Sequence, residues 1–254
     1  MSGRIEIVAV PGIPEITEGE KVGATLVTAA REAGLGLTEG DVVVVSQKIV
    51  SKAEGRVVAL ADVNPGERAE ELAAELERDA RFVQLVLDES ARVVRAERGV
   101  LIVETSSGWV CANAGIDTSN VPGDDMVALL PLDADASACR IRGEIHAATG
   151  GAPAVVISDS FGRPWRIGQT DVAIGCAGLE PVADWRGRTD REGRVLEATI
   201  PAIADELAAA ADLARDKASG SPVALIRGCD RQVIAEDGPG AASLRRAEAD
   251  DLFR

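Results

Sequence analysis

Apolar positions along the chain fall into two patterns. Short runs rich in Val and Ile are typical of strands, and they occur at residues 5–10, 41–45, 93–96, 100–104, 109–112, 154–157, 172–178 and 223–228. Longer amphipathic stretches are typical of helices, and they occur at residues 20–33, 67–89, 133–149 and 199–217, with a further short helix in the polar tail 235–254. The pattern therefore predicts a fold that contains both helices and many short strands.

A polar segment, residues 158–171, follows one of the most apolar runs, and its glycines predict a loop. Asp159 and Ser160 stand side by side in it and can both offer oxygen to a hard divalent cation. Arg163 and Arg166 can hold carboxylate or phosphate oxygens in a planar fork. The alternative interpretation is a solvated loop with surface ion pairs.

A second polar segment, residues 113–123, also follows a predicted strand and contains Asp117, hydroxyl groups and an amide. Mg²⁺ and Mn²⁺ phosphate sites typically take their carboxylates from separate loops. Asp117 and Asp159 together therefore suggest a divalent metal site.

Lysine is rare in this chain, yet Lys48 and Lys52 lie four residues apart just after the strand predicted at 41–45. Lysine is a compact positive charge that suits phosphate, so the pair is a candidate phosphate contact. The alternative is that both lysines are simply solvated. Neither a P-loop pattern nor a glycine-rich dinucleotide fingerprint occurs in the sequence.

Composition narrows the classes of function. The 254 residues carry a formal net charge of −15, only 2% of them are aromatic, and Tyr is absent. Positive charge and aromatic stacking are what nucleic-acid binding needs, so neither nucleic acid nor an anionic membrane is an expected partner. The four cysteines lie far apart, the only histidine is His146, and no apolar run approaches the roughly 20 residues that span a bilayer. We therefore expect a cytoplasmic protein with reduced thiols and neither a zinc site nor a membrane segment.

Several long motifs occur together in one order. They are SQKIVSKAEG at 46–55, AGIDTSNV at 114–121, SDSFGRPWRIGQTD at 158–171 and DLFR at 251–254. With these motifs the chain closely resembles the coenzyme F420-0:L-glutamate ligase family, from residue 10 to its end. Its length resembles that of the stand-alone ligase.

The resemblance implies an α+β fold with two intertwined lobes, in which residues 1–254 form a single catalytic unit and the protein is an interlocked homodimer. The implied activity is that of a GTP-dependent ligase, which adds L-glutamate to coenzyme F420-0 and then a second, γ-linked glutamate. Chemistry then suggests an acyl-phosphate route, because a carboxylate is a poor acyl donor until it is phosphorylated.

The resemblance also implies roles for particular residues. Asp117, Asp159 and Ser160 would hold Mg²⁺ or Mn²⁺, two ions per site, and K⁺ is a further expected ion. GTP would contact Ile13, Pro14, Glu15, Ile16, Gln47, Lys52, Asn120, Lys217, Ala218, Ser219 and Gly220. Arg163 and Arg166, with the two aspartates, would form the catalytic group that meets the acidic substrates. Gln47 and Ser160 stand where such proteins also have serine and threonine, and a protonated Lys217 cannot ligate a cation.

Two other functions stay open at this point. The first is a metal-dependent phosphotransferase or phosphatase that acts on another acidic metabolite and does not depend on free glutamate. The second is a nucleotide-binding protein with no enzymatic activity.

Overall fold

The structure is a computed structural model, and it describes residues 3–215 and 220–251. The strands are β1 (Glu6–Ala9), β2 (Val42–Ser46), β3 (Val57–Ala59), β4 (Ser90–Glu97), β5 (Val100–Thr105), β6 (Val110–Ala112), β7 (Met126–Ala128), β8 (Ala154–Arg163), β9 (Arg166–Ala177) and β10 (Val223–Arg227). The helices are α1 (Val22–Glu32), α2 (Gln47–Ala53), α3 (Glu67–Leu76), α4 (Ala80–Asp88), α5 (Ala134–Thr149) and α6 (Ile203–Asp212). The predicted α+β class is confirmed.

Five strands form the central sheet in the order β1, β10, β2, β8, β9, and only the β2–β8 pair is parallel. Val43 and Val45 of β2 pack with α1 and α5 on one face of this sheet, whereas Val42 and Val44 pack with α6 on the other. All four valines are 0% exposed. Because both faces are covered, β2 is a continuous apolar run rather than an alternating one.

Two smaller sheets lie outside this core. β3 pairs with β7, and β4, β5 and β6 form an antiparallel sheet. Leu72 of α3, Val83 of α4 and Leu101 of β5 belong to a separate apolar cluster. The division into two intertwined lobes stays a prediction.

The helix predicted at 67–89 is in fact two helices. Glu77 ends α3 with a left-handed backbone (φ 53°), and Asp79 caps α4 by accepting a hydrogen bond from Arg81 N at 2.8 Å. Asp is a strong N-cap residue, so it favours a new helix start over continuation. The prediction of one uninterrupted helix over 67–89 was therefore wrong.

The polar segment 158–171 was predicted as a loop, but it forms the outer part and the turn of the β8–β9 hairpin. β8 runs on to Arg163, β9 starts at Arg166, and Ser160 pairs with Asp171 across the hairpin. Backbone pairing continues where the apolar core ends, because ladder hydrogen bonds do not require apolar side chains. The chain reverses at Trp165, whose φ is 57°. The metal-ligand candidate Asp159 is thus held on a strand.

Near the end of the chain the structure is less helical than the sequence pattern predicted. Helix α6 covers only part of the stretch 199–217 and begins after Pro201. In the described tail the regular elements are two 3₁₀ turns, Ala241–Leu244 and Glu248–Asp250, in place of the predicted short helix.

Candidate active site

A cleft of about 670 Å³ opens where β2 ends beside β8, with Ser46 opposite Ser158. It gathers most of the residues that the sequence marked as candidates. These are Ile13, Pro14, Glu15, Ile16, Gln47, Lys52, Asp117, Asn120, Asp159, Ser160 and Gly220. The parallel β2–β8 pair brings these distant segments together, since residues 46 and 158 stand side by side on neighbouring strands that run in the same direction.

Other candidates lie elsewhere. Arg163 and Arg166 are at the tip of the β8–β9 hairpin and do not line this cleft. Arg163 Nη2 donates to the Ile167 carbonyl at 3.2 Å, and neither arginine forms an ion pair within residues 3–215 and 220–251. Lys217, Ala218 and Ser219 fall outside the described residues. A substrate role for the two arginines stays a prediction.

Helix α2 carries two lysines into the cleft on one side, one turn apart. Lys48 Nζ lies 2.7 Å from Asp117 Oδ2 and donates to the Ser119 carbonyl at 2.7 Å. Lys52, whose side chain is 8% exposed, forms an ion pair with Glu15, whose side chain is 59% exposed. Glu15 can therefore move into solvent and leave the Lys52 ammonium to an anionic ligand.

Asp117 is fixed by a tight backbone turn. The 3₁₀ turn Asn113–Gly115 precedes it, and its own N–H and C=O pair with Ala128 at 2.9 and 2.8 Å. Gly115 has φ 69°, and a Cβ there would lie 2.7 Å from a Leu130 methyl carbon, so any other residue would strain the backbone and displace Leu130. Burial would raise the pKa of the Asp117 carboxyl, but hydrogen bonds from Lys48 and Ser119 lower it below its ordinary value of 3.8.

Asp159 has the opposite electrostatic environment. Burial in the cleft raises its pKa from 3.8 to about 7, against a hydrogen bond from the Ser160 backbone; the negative charges of Asp171 and Asp117 add to the rise. Within the described part of the chain no lysine or arginine forms an ion pair with it. Asp159 is thus a carboxylate without an ion-pair partner among the described residues, in a cleft that Asp117, Asp171 and two other acidic residues also line.

Another carboxylate of the cleft, Asp171, belongs to a buried network that the sequence did not reveal. Its Oδ2 lies 2.5 Å from Arg215 Nη2, and the two side chains are 6% and 5% exposed. Ser158 and Ser160 both donate hydroxyl hydrogen bonds to Asp171, at 2.8 and 2.6 Å. Arg215 Nε and Nη1 have no partner among the described residues. Arg215 lies up to 57 residues along the chain from its partners in this network. No motif or spacing in the sequence indicated that Arg215 would contact them.

Two further side chains limit the chemistry of the cleft. The Gln47 amide is 1% exposed, its Oε1 accepts from Ser51 Oγ at 2.7 Å, and its Nε2 has no partner within the described ranges. This N–H₂ group can donate to a ligand. Burial, with Asp159 nearby, raises the pKa of the Cys111 thiol to about 12. Cys111 is therefore a neutral thiol, which is a poor nucleophile.

The arrangement suits oxygen-ligated cations better than zinc. The carboxylates of Asp117 and Asp159 and the hydroxyl of Ser160 are hard oxygen donors, as Mg²⁺ and Mn²⁺ prefer. In residues 3–215 and 220–251, no group of three or more His, Cys, Asp or Glu side chains is placed to hold a metal ion. The remaining ligands of such an ion would come from water or from a bound phosphate.

A cleft of this volume with several convergent polar groups is typical of small-molecule binding sites. The chain matches the model of the F420-0:Gamma-glutamyl ligase family over residues 12–228. It belongs to that family, which confirms the resemblance seen in the motifs. It is therefore a ligase, an enzyme that forms a carbon–nitrogen bond.

Relatives of known name agree with this assignment. The chain is 41% identical over 251 residues to the coenzyme F420:L-glutamate ligase of Methanothermobacter thermautotrophicus, an alignment that covers 98% of this chain and 99% of that protein. It is 42% identical to the protein of that name from Haloarcula marismortui, over 98% of this chain and 96% of the relative. For the Halobacterium salinarum protein of that name the identity is 43%, over 97% and 94%.

No helix in the described part of the chain is long and apolar enough to cross a membrane.

Proposed function

We propose that this protein adds L-glutamate to coenzyme F420-0 in a GTP-dependent reaction, and then adds a γ-linked glutamate to the product, F420-1. The names of its relatives support the ligase reaction and its substrates. The cleft volume of about 670 Å³ lies in the upper half of the range of about 300–1,000 Å³ that small-molecule sites occupy. This is consistent with a site that receives more than one substrate.

The observation that carries the proposal is the charge imbalance around Asp159. Its pKa of about 7 reflects a carboxylate that burial and two like-charged neighbours disfavour in the ionised form. A divalent cation would reverse this effect, because it favours the ionised carboxylate. Such a cation would also let an otherwise acidic cleft accept the phosphates of a nucleotide.

The residues that would hold the metal are Asp117, Asp159 and Ser160. Their oxygen atoms fit Mg²⁺ or Mn²⁺, and when bound the metal neutralises phosphate charge and aligns the transferred group. Asp117 Oδ2 is paired with Lys48, and its Oδ1 accepts hydrogen bonds from Ser119 N and Oγ at 2.7 and 2.8 Å, so a cation at Asp117 would displace one of these partners. Asp159 has no ion-pair partner among the described residues and is the more accessible carboxylate for a cation.

The nucleotide would meet the positive side of the same cleft. Lys52 and Lys48 on α2, together with Arg215, are positioned to balance the charge of phosphate oxygens. The buried Gln47 amide would donate a hydrogen bond to an acceptor on the nucleotide. Glu15 would release Lys52 as phosphate approaches, since both compete for one ammonium group.

The reaction then follows from the chemistry of the carboxylate. A carboxylate oxygen of F420-0 attacks the γ-phosphorus of GTP, and GDP leaves, so an acyl phosphate forms. The glutamate nitrogen attacks the acyl carbon, phosphate leaves, and the nitrogen loses a proton to give the amide. The protein contributes positioning and charge balance, and no side chain has to act as a covalent nucleophile.

The test is a product assay with purified protein. GTP, Mn²⁺, F420-0 and glutamate are incubated together, and the product mass is measured, with glutamate omitted in a parallel reaction. We expect a mass increase of one and then two glutamyl units, together with GDP. GTP hydrolysis that is indifferent to glutamate would instead indicate the phosphotransferase or phosphatase, and nucleotide binding without turnover would indicate the non-enzymatic alternative.

Four expectations accompany this proposal. The family resemblance implies K⁺ as a further ion, an interlocked homodimer and two lobes, and the cysteine pattern and composition imply a location in the cytoplasm. Light scattering of the purified protein tests the dimer, and replacement of K⁺ by Na⁺ in the product assay tests the monovalent ion.

A further inference from the structure

We propose that Asp171 is a positioning residue, which fixes the hydroxyl group of Ser160 so that its oxygen lone pairs face the cleft. The inference rests on the proposed function, because it concerns the metal ion that Ser160 would hold. It gives the buried Asp171–Arg215 pair a role in that function.

The geometry starts from the pairing of two strands. Ser160 and Asp171 stand directly opposite each other in the β8–β9 ladder, so their side chains are neighbours on one face. Ser160 Oγ donates to Asp171 Oδ1 at 2.6 Å, a short bond of the charge-assisted kind. A hydroxyl group has one hydrogen, and this bond commits it to Asp171. The lone pairs of an oxygen that lines the cleft are then free to accept a cation.

Arg215 and Ser158 hold the carboxylate that orients Ser160. Asp171 Oδ2 accepts from Arg215 Nη2 at 2.5 Å and from Ser158 Oγ at 2.8 Å, while Oδ1 is left for Ser160. A carboxylate that is bonded through both oxygens cannot rotate freely. Without it, the Ser160 hydrogen could turn toward the cleft and repel a cation.

A purely structural role is the competing explanation. Arg215 follows α6 and Asp171 lies on β9, so their ion pair also joins two parts of the fold. Buried ion pairs often contribute little net stability, because burial removes both charges from water. A structural pair would change the stability of the protein but not the metal affinity of the folded molecule, and this difference makes the two roles separable.

The decisive experiment is a double-mutant cycle on Mn²⁺ binding. Asp171→Asn and Arg215→Gln are introduced together, which leaves the net charge unchanged, in the native background and in Ser160→Ala. Mn²⁺ affinity is measured by calorimetry or electron paramagnetic resonance without nucleotide or substrate. We expect the paired change to weaken binding at least about tenfold in the native background and less than about twofold when Ser160 is already Ala.

Two controls accompany the cycle. Ser137 is another buried serine, 2% exposed, whose hydroxyl donates to Glu54 and which does not line the cleft. Ser137→Ala should therefore leave Mn²⁺ affinity unchanged. Ser160→Thr keeps the hydroxyl and should retain Mn²⁺ binding. If the paired variant fails to fold, Asp171→Glu replaces it, since this change keeps the charge but moves the acceptor oxygen.

The outcomes separate this inference from the proposed function. Equal weakening in both backgrounds would show that Asp171 acts independently of Ser160, and unchanged affinity in the native background would show that it does not act on the metal. Either result overturns the inference and leaves the proposed function standing. If the native protein binds no Mn²⁺, the metal-dependent function fails, and this inference fails with it.

Discussion

The same substitution at two aspartates of one cleft should have opposite effects on stability. Asp159→Asn should stabilise the metal-free protein at pH 8, whereas Asp117→Asn should destabilise it. The reason is that the fold raises the pKa of Asp159 to about 7 but lowers that of Asp117, from an ordinary value of 3.8 in both cases. Both variants should lose turnover, because each removes an anionic oxygen from the metal position.

The size of the stability gain in Asp159→Asn follows from the linkage between the pKa shift and the free energy of unfolding. Each pKa unit corresponds to about 1.4 kcal/mol, so a change from 3.8 to about 7 sets an upper limit of about 4 kcal/mol on the cost of its ionisation. Water reaches the half-buried carboxylate through the cleft, so we expect about 2 kcal/mol. In a protein of this size, 2 kcal/mol raises the melting temperature by roughly 4–8 °C.

The two aspartates should also differ in how their contributions to stability depend on pH. A raised carboxyl pKa contributes stability below pH 3.8, and this contribution is lost as the pH rises through about 7. The advantage of Asp159→Asn should therefore be full at pH 8 and shrink toward zero near pH 4. Asp117, whose pKa is lowered in the folded protein, contributes stability above pH 3.8 instead. That stability is lost as the pH falls through the pKa of Asp117 in the folded protein.

Thermal melting in EDTA from pH 4 to pH 8 is the measurement. Addition of Mn²⁺ should reverse the ranking, since the native protein gains stability from the bound ion and Asp159→Asn gains much less. If Asp159→Asn melted at or below the native temperature in EDTA at pH 8, the charge imbalance inferred for the cleft would be wrong. Near-native turnover of either variant at limiting Mn²⁺ would exclude that residue as a metal ligand.

Three further predictions concern the nucleotide, the hairpin and the turn. Lys52→Ala should raise the apparent KM for GTP more than that for glutamate, and equal changes in initial-rate assays would indicate a general structural role. Arg163→Lys and Arg166→Lys should keep thermal stability and GTP binding but lose saturation by glutamate or F420-0; earlier melting with normal binding of all ligands would make them structural. Gly115→Ala should lower stability by roughly 2 kcal/mol or more, because the new Cβ would collide with Leu130 and alanine is strained at a positive φ. An unchanged melting curve would contradict this.

Local sequence was sufficient to predict an element of the fold wherever one short-range pattern of residues dominated. The valine run of β2 indicated a buried strand, and the pattern over 133–149 predicted the helix that the structure has as α5. The family could also be inferred from the order of four motifs. These properties depend on neighbouring residues, so they can be read along the chain.

Local signals failed where two of them competed. The amphipathic pattern over 67–89 suggested one helix, but the cap formed by Asp79 started a second. Polar residues and glycines over 158–171 suggested a loop, but pairing between β8 and β9 made a hairpin. In both cases hydrogen bonding outweighed the apolar pattern used for the prediction.

The sequence by itself determined which chemical groups the site contains, since carboxylates, lysines and amides all stood in recognisable motifs. Only the tertiary structure decided how these groups are paired. Lys48 reaches Asp117, and Arg215 reaches Asp171 from 44 positions away, while Asp159 is left without an ion-pair partner in the described chain. The physical reason is that an ionisation equilibrium depends on burial and on distances across the fold, and residues far apart in sequence set both of these.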